Sequence, residues 1–124
     1  MHCYLAQNGL RTFCHKNGIA LTAYSPLGRP GQHGDGPLLL EDEAVLAVAK
    51  RRGMTPSQVL LRWGMQMGHA VIPKSSSSVR QAENMAAVEA SELTEEDMAK
   101  LAALERGYRY CPYPAWCRGA SCFS

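Results

Sequence analysis

Apolar residues recur along this chain first at helical spacing, then in short unbroken runs, then at helical spacing again. From Asn8 to Lys16, Leu10, Phe13 and Cys14 fall at i, i+3 and i+4, and Asn17-Gly18 comes next as a stop signal, which predicts a short amphipathic helix. "IALTAY", Ile19 to Tyr24, is mostly apolar with β-branched and aromatic members, and Ser25-Pro26 closes it, so it reads as a strand. The next fifteen residues, Ser25 to Leu39, hold three prolines and four glycines and cannot follow either period. A connection this long without structure of its own is usually functional or mobile.

Helical spacing returns at Asp42 to Arg52, where Val45, Val48 and Ala49 share a stripe and Gly53 ends it. Thr55, Pro56 and Gln58 then form a capping box with proline where its missing N–H costs nothing, and the helix they start buries Val59, Leu60, Trp63 and Met67; Gly64 and Gly68 weaken only its end. "AVIP", Ala70 to Pro73, is a second short apolar strand. Beyond it, Ser78 with Gln81 starts a helix through Val88, and Thr94 with Asp97 caps another carrying Met98, Leu101 and Leu104. From Gly107 onward aromatic residues, prolines and cysteines keep no period and read as coil.

Strands separated by helices are the signature of an α/β protein with a parallel sheet. Only two strands are clear, with Met1 to Leu5 as a remnant of a third, and two or three parallel strands do not make a self-sufficient sheet.

Composition changes this picture little. The chain has 124 residues, 46% hydrophobic and 19% charged, which suits one globular domain. Thirteen basic and eleven acidic side chains leave a net charge of +2, spread along the chain, so no basic face for nucleic acid or anionic lipid is present. No apolar run reaches the roughly 20 residues of a membrane span, and the first residues lack a secretory signal's long apolar centre, so the expected compartment is the cytoplasm. Five cysteines, none spaced CxxC, read as free thiols; a disulfide or metal role for the Cys-bearing tail is the weaker alternative. His2, His15, His33 and His69 are expected at the surface.

Two polar clusters are candidates for chemistry. "IPKSSSSVRQAEN" takes a strand into a helix through one Lys and four serines, bringing backbone N–H groups, hydroxyls and a positive helix end together. An anion is the natural occupant. Lys74 and Arg80 add charge, Arg80 able to fork onto a phosphate, and Glu83 and Asn84 one turn on can meet the edge of an amino-substituted base. The same spacing also fits a plain N-cap behind a solvated serine linker. In "AYSPLG", Tyr24 leaves a strand at its carboxyl end, where parallel sheets hold ligands, and could stack on a planar heterocycle while Ser25 and the backbone at Leu27 and Gly28 approach a pyrophosphate. A buried Tyr at a strand-ending turn is the competing reading.

Taken in order, "YLAQNGLRTFCHKNGIALTAYSPLG", "LLRW" and "VIPKSSSSVRQAEN" resemble the C-terminal part of the aldo-keto reductases, NADPH-dependent enzymes built on a (β/α)8 barrel. The resemblance covers about the first 105 residues, which sets a partial oxidoreductase domain at 1–106 and a divergent tail at 107–124. It implies the C-terminal portion of a TIM barrel and NADP(H) as cofactor, with a small carbonyl substrate. It also implies that Tyr24 stacks on the nicotinamide while Ser25 and Leu27 hold the pyrophosphate. Lys74, Ser75, Ser76, Ser77 and Arg80 would surround the 2′-phosphate, and Glu83 and Asn84 would meet the adenine.

Three departures stand out. Arg29, Pro30 and Gly31 replace the Ser and Asp of the family's cofactor flap, Cys3 replaces the proline of "HPYL", and the tail has no match, so substrate class does not transfer. In the family a Tyr, tuned by a Lys and an Asp and helped by a His, protonates the carbonyl. All four lie upstream of the matched region, so no catalytic residue is assigned and the chain alone is expected to be inactive. A (β/α)8 barrel takes about 250 residues. The apolar sides of these strands and helices should therefore lack neighbours, making self-association or a complementing partner the expectation.

Overall fold

The computed structural model describes residues 1–31 and 34–111. Helix α1 spans Asn8–Lys16 and strand β1 Thr22–Ala23, and a 3₁₀ turn at Leu39–Glu41 leads into α2, Glu43–Arg52. Helix α3 covers Pro56–Gln66, strand β2 Ala70–Val71, α4 Ser78–Ala86 and α5 Glu95–Ala102. β1 and β2 pair in parallel, Thr22 against Ala70 and Ala23 against Val71, with α2 and α3 forming the crossover between them.

Local chemistry sets the helix boundaries. Asp42 accepts from Ala44 N–H at 2.9 Å and caps α2, which Gly53 ends with a φ of 63°. The capping box at α3 is reciprocal: Gln58 N–H donates to Thr55 Oγ1 at 3.2 Å and Thr55 N–H to Gln58 Oε1 at 2.9 Å. Thr94 and Asp97 repeat it at α5.

The core lies between the helices and one face of the sheet. Trp63, Leu60 and Leu61 of α3 meet Val45 and Val48 of α2, Leu39 and Leu101, all fully buried. Asp97 is buried among them and accepts from Arg51, from Arg52 at 2.5 Å and from Thr94, which ties α5 to the end of α2. Burial pushes this carboxyl up, but the hydrogen bonds from Arg51, Arg52 and Thr94 win and hold it well below the usual carboxylate range.

Four expectations need correction. Met1 to Leu5 is a tight turn in which His2 and Leu5 exchange backbone bonds of 3.2 and 2.8 Å, not a strand. The cap of α4 is Ser77, one residue before Ser78, because Ser77 Oγ accepts from Arg80 N–H. On α1 only Cys14 of the expected stripe is buried, while Phe13 is 59% exposed. Finally, His2 and His69 are buried rather than at the surface. The His69 ring stands edge-on to Trp63 at 6.0 Å, and Gly64 admits it: a Cβ there would sit 3.0 Å from His69 Nε2 and 2.8 Å from Val71 Cγ1. His33 lies outside the described residues.

The expectation of missing neighbours holds. Ala23 is buried and Val71 half-buried against the helices, whereas Tyr24 and Ile72 are 68% and 60% exposed. Helix α4 buries none of its side chains, and Val79 and Met85 stand in solvent. No helix among the described residues is long and apolar enough to cross a membrane. Cys3, Cys14 and Cys111 are free thiols, and Cys117 and Cys122 lie outside the described residues.

Candidate functional site

Both strands end at the same place, and the segment leaving each forms one wall of a cleft of about 830 Å³. Beyond β1 come Tyr24, Ser25, Pro26 and Leu27, with Arg29 and Pro30 behind them. Beyond β2 come Ile72, Pro73, Lys74, Ser75 and Ser76, and Arg80 projects from the first turn of α4. Parallel pairing makes this convergence unavoidable, because strands running the same way release their chains at a common carboxyl edge.

The β1 wall is a tight turn. Ser25 takes a left-handed φ of 53° and its carbonyl accepts from Gly28 N–H at 3.0 Å, which lifts the Tyr24 ring into the open and turns Pro26 and Leu27 inward. The β2 wall is ordered by its own serines. Ser75 Oγ accepts from Ser77 N–H and donates to Ser77 O, both at 3.2 Å, and Gln81 Nε2 donates to Ser75 O at 2.8 Å. These bonds order the segment that enters α4, from whose first turn Arg80 reaches the cleft.

Seven of the ten residues expected at a cofactor site therefore share one cavity: Tyr24, Ser25, Leu27, Lys74, Ser75, Ser76 and Arg80. Ser77 does not join them, because its hydroxyl is the cap of α4. Glu83 and Asn84 also stay outside the cavity, half-buried further along α4, where Glu83 O accepts from Gln58 Nε2 at 3.0 Å. Sequence reasoning missed Pro26, Leu40, Ile72 and Pro73 as lining residues. The apolar run "AVIP" reads as one strand, yet Ile72 and Pro73 lie just past its end, and residues there are the ones that face a ligand in a parallel sheet.

Lys74 and Arg80 give this cleft positive charge. Among the described residues the ion pairs join Arg51 and Arg52 to Asp97, Arg62 to Glu92, Lys100 to Glu96 and Arg106 to Asp42. Lys74 and Arg80 take part in none of them. A smaller cavity of about 440 Å³, edged by Arg11, His15 and Lys16, opens at the amino ends of the strands, the side where parallel sheets seldom hold ligands.

The cleft is large enough to hold a small-molecule ligand. It falls within the usual range of ligand sites, offers an exposed ring on one wall and two cations outside those ion pairs on the other, and places small or turn-forming residues between them.

Comparison with known proteins identifies the family. Residues 1–106 match the model of the Aldo/keto reductase family. Aldo-keto reductase family 1 member A1 of Mus musculus is 44% identical over 112 residues, covering 88% of this chain and 34% of the relative; the Gallus gallus protein of the same name is 42% identical over the same lengths. An aldo/keto reductase of Synechocystis sp. is 42% identical over 121 residues, 94% of this chain and 37% of its own. The chain thus spans about a third of the length of the curated relatives it matches. With two parallel strands, a helical crossover and that match over most of its length, the chain belongs to the aldo/keto reductase family, and its fold is part of that family's (β/α)8 barrel.

Proposed function

We propose that the cleft binds NADP(H) and that the chain contributes the cofactor half of a cytoplasmic carbonyl reductase. The observation that carries this reading is the meeting, in one cavity, of Tyr24, Ser25 and Leu27 from the β1 end with Lys74, Ser75, Ser76 and Arg80 from the β2 end. The bound cofactor would supply the hydride. Tyr24, exposed beside the cleft, would stack on the nicotinamide and hold one of its faces toward the substrate. Ser25 and the backbone of the Leu27 turn would orient the pyrophosphate. Lys74 and Arg80 would neutralise the 2′-phosphate, Arg80 through two parallel N–H donors, with Ser75 and Ser76 adding hydroxyls. Ser77 would act indirectly by capping α4, and Glu83 and Asn84 would reach the adenine only from outside the cavity's lining.

We assign no catalytic acid within these residues. Protonation of the carbonyl would fall to a Tyr, Lys, Asp and His constellation outside the matched motifs. The exposed sheet face favours a second reading, a non-catalytic NADP(H)-binding module that completes its barrel with a partner. Size exclusion separates the two: a discrete complex supports the module and open-ended self-association supports a partial barrel alone.

The cofactor reading predicts that the unmodified chain quenches NADPH titrations at concentrations roughly tenfold or more below those needed for NADH, since one charge-assisted phosphate contact contributes about 1.5–3 kcal/mol. Lys74→Ala combined with Arg80→Ala should remove that difference. Equal affinity for the two cofactors in the unmodified chain would overturn the assignment.

A further inference from the structure

Past α5 the backbone turns back over the amino-terminal segment, Arg106 and Tyr108 both donating their N–H groups to Tyr4 O at 3.4 and 3.0 Å. This return lays Tyr110 across the neck of the 25–37 loop. The Tyr110 ring is buried, edge-on to His2 and to Tyr108 at 5.0 Å each, and its hydroxyl donates to Pro37 O at 2.5 Å. On its other side the ring fills the place of a side chain at residue 28. A Cβ on Gly28 would lie 2.7 Å from Tyr110 Cε2 and 2.9 Å from Cζ, and the φ of +73° there excludes most other residues on a second count. One side chain thus touches both the entry and the exit of the loop. Its neighbour Cys111 adds longer contacts, 3.9 Å to Ser25 Oγ and 3.6 Å to Arg29 Nη1.

We propose that Tyr110 is a positioning residue for the cleft, pinning Gly28 to Pro37 and so fixing the turn that presents Ser25 and Leu27; this rests on the NADP(H) reading above. A loop rich in glycine keeps considerable conformational freedom unless tied, and freedom lost on binding weakens the ligand. The pin acts on the β1 wall alone. The β2 wall is ordered independently by Ser75, Ser77 and Gln81. Tyr110 should therefore govern the half of the cleft that meets nicotinamide and pyrophosphate, and leave the half that meets the 2′-phosphate alone.

The test pairs two ligands with a probe that needs neither. In titrations, Tyr110→Leu should weaken NADPH about tenfold while adenosine 2′,5′-bisphosphate, which lacks the nicotinamide half, stays within about twofold. Tyr110→Phe, which keeps the ring against Gly28 and loses only the bond to Pro37, should fall between. Hydrogen exchange of the amides from Leu27 to Gly31 should accelerate in Tyr110→Leu with α3 unchanged. Equal weakening of both ligands, or loop exchange that does not change, overturns the proposal. If the unmodified chain binds neither ligand, the cofactor reading fails, and the exchange measurement alone upholds or overturns the pin.

Discussion

The two faces of the β1–β2 sheet carry similar residues and meet different fates. Ala23 and Val71, the last residues of the two strands, point to the helices and are buried or half-buried, while Tyr24 and Ile72, one residue beyond each strand and lining the cleft, stand mostly in solvent. A strand covered on one side is normally written with alternating polar residues. "IALTAY" and "AVIP" are nearly continuous in apolar residues instead, the pattern of a parallel strand covered on both sides. The difference teaches that the sequence specifies two packed faces and that these residues complete only one. The contrast can be broken by mutation, and the largest effect lies on the finished side. Trp63, 1% exposed within the core and edge-on to His69, should cost about 3–5 kcal/mol when changed to Ala, measured by urea denaturation.

Next in size is the clamp between helices. Asp97→Ala removes two guanidinium partners and the α5 capping box together, leaving Arg51 and Arg52 partly solvated rather than stranded. A loss of about 2–4 kcal/mol is expected, below the upper range for a fully buried pair because water can reach the arginines. Asp97→Asn should recover part of it by keeping a cap acceptor for Thr94, and a variant as stable as the original would show that the clamp contributes nothing.

A smaller, graded effect comes from the buried imidazoles. Burial lowers His69 to about 4 and His2 to about 3. Unfolding returns both to ordinary values, so below about 6.5 the unfolded chain binds protons that the folded chain refuses. Their contribution is full above pH 6.5 and is lost as pH falls toward 4. Thermal melts across that window should show the slope, and His69→Phe should flatten it. A slope unchanged by the substitution would remove His69 from the account.

How much of this was legible depended on distance along the chain. The helices α1, α3 and α5 and their caps are readable because Asn17-Gly18, Thr55 with Gln58 and Thr94 with Asp97 act within one turn. The strands are shorter than their apolar runs, Thr22–Ala23 inside Ile19–Tyr24, because a strand needs a bonded neighbour and each has only one among the described residues. The carboxyl-edge cleft is legible as two motifs, and topology has to bring them together. Nonlocal pairings are invisible: the sequence marks Asp97 as a cap without Arg51 and Arg52, and Tyr110 as coil without Gly28 and Pro37. Buried histidines escape because nothing in their spacing distinguishes them from surface ones. Gly64 is the available clue, a glycine in the last turn of α3 where a close approach would need one.

The smallest expected effect is the most informative about the open face. Ile72, 60% exposed, should tolerate Thr with a change within about 0.5 kcal/mol in the chain alone, the ordinary range for a surface position. The same change at a face that some partner covers would replace a buried ethyl group by a hydroxyl, costing about 1–3 kcal/mol of association. Comparing the stability of Ile72→Thr with its self-association by sedimentation therefore assigns the face. If stability holds and association weakens, apolar residues on that side exist for contact with other strands. If stability falls by as much as at a core position, the face is already covered in solution and the contrast between the two sides of the sheet is lost.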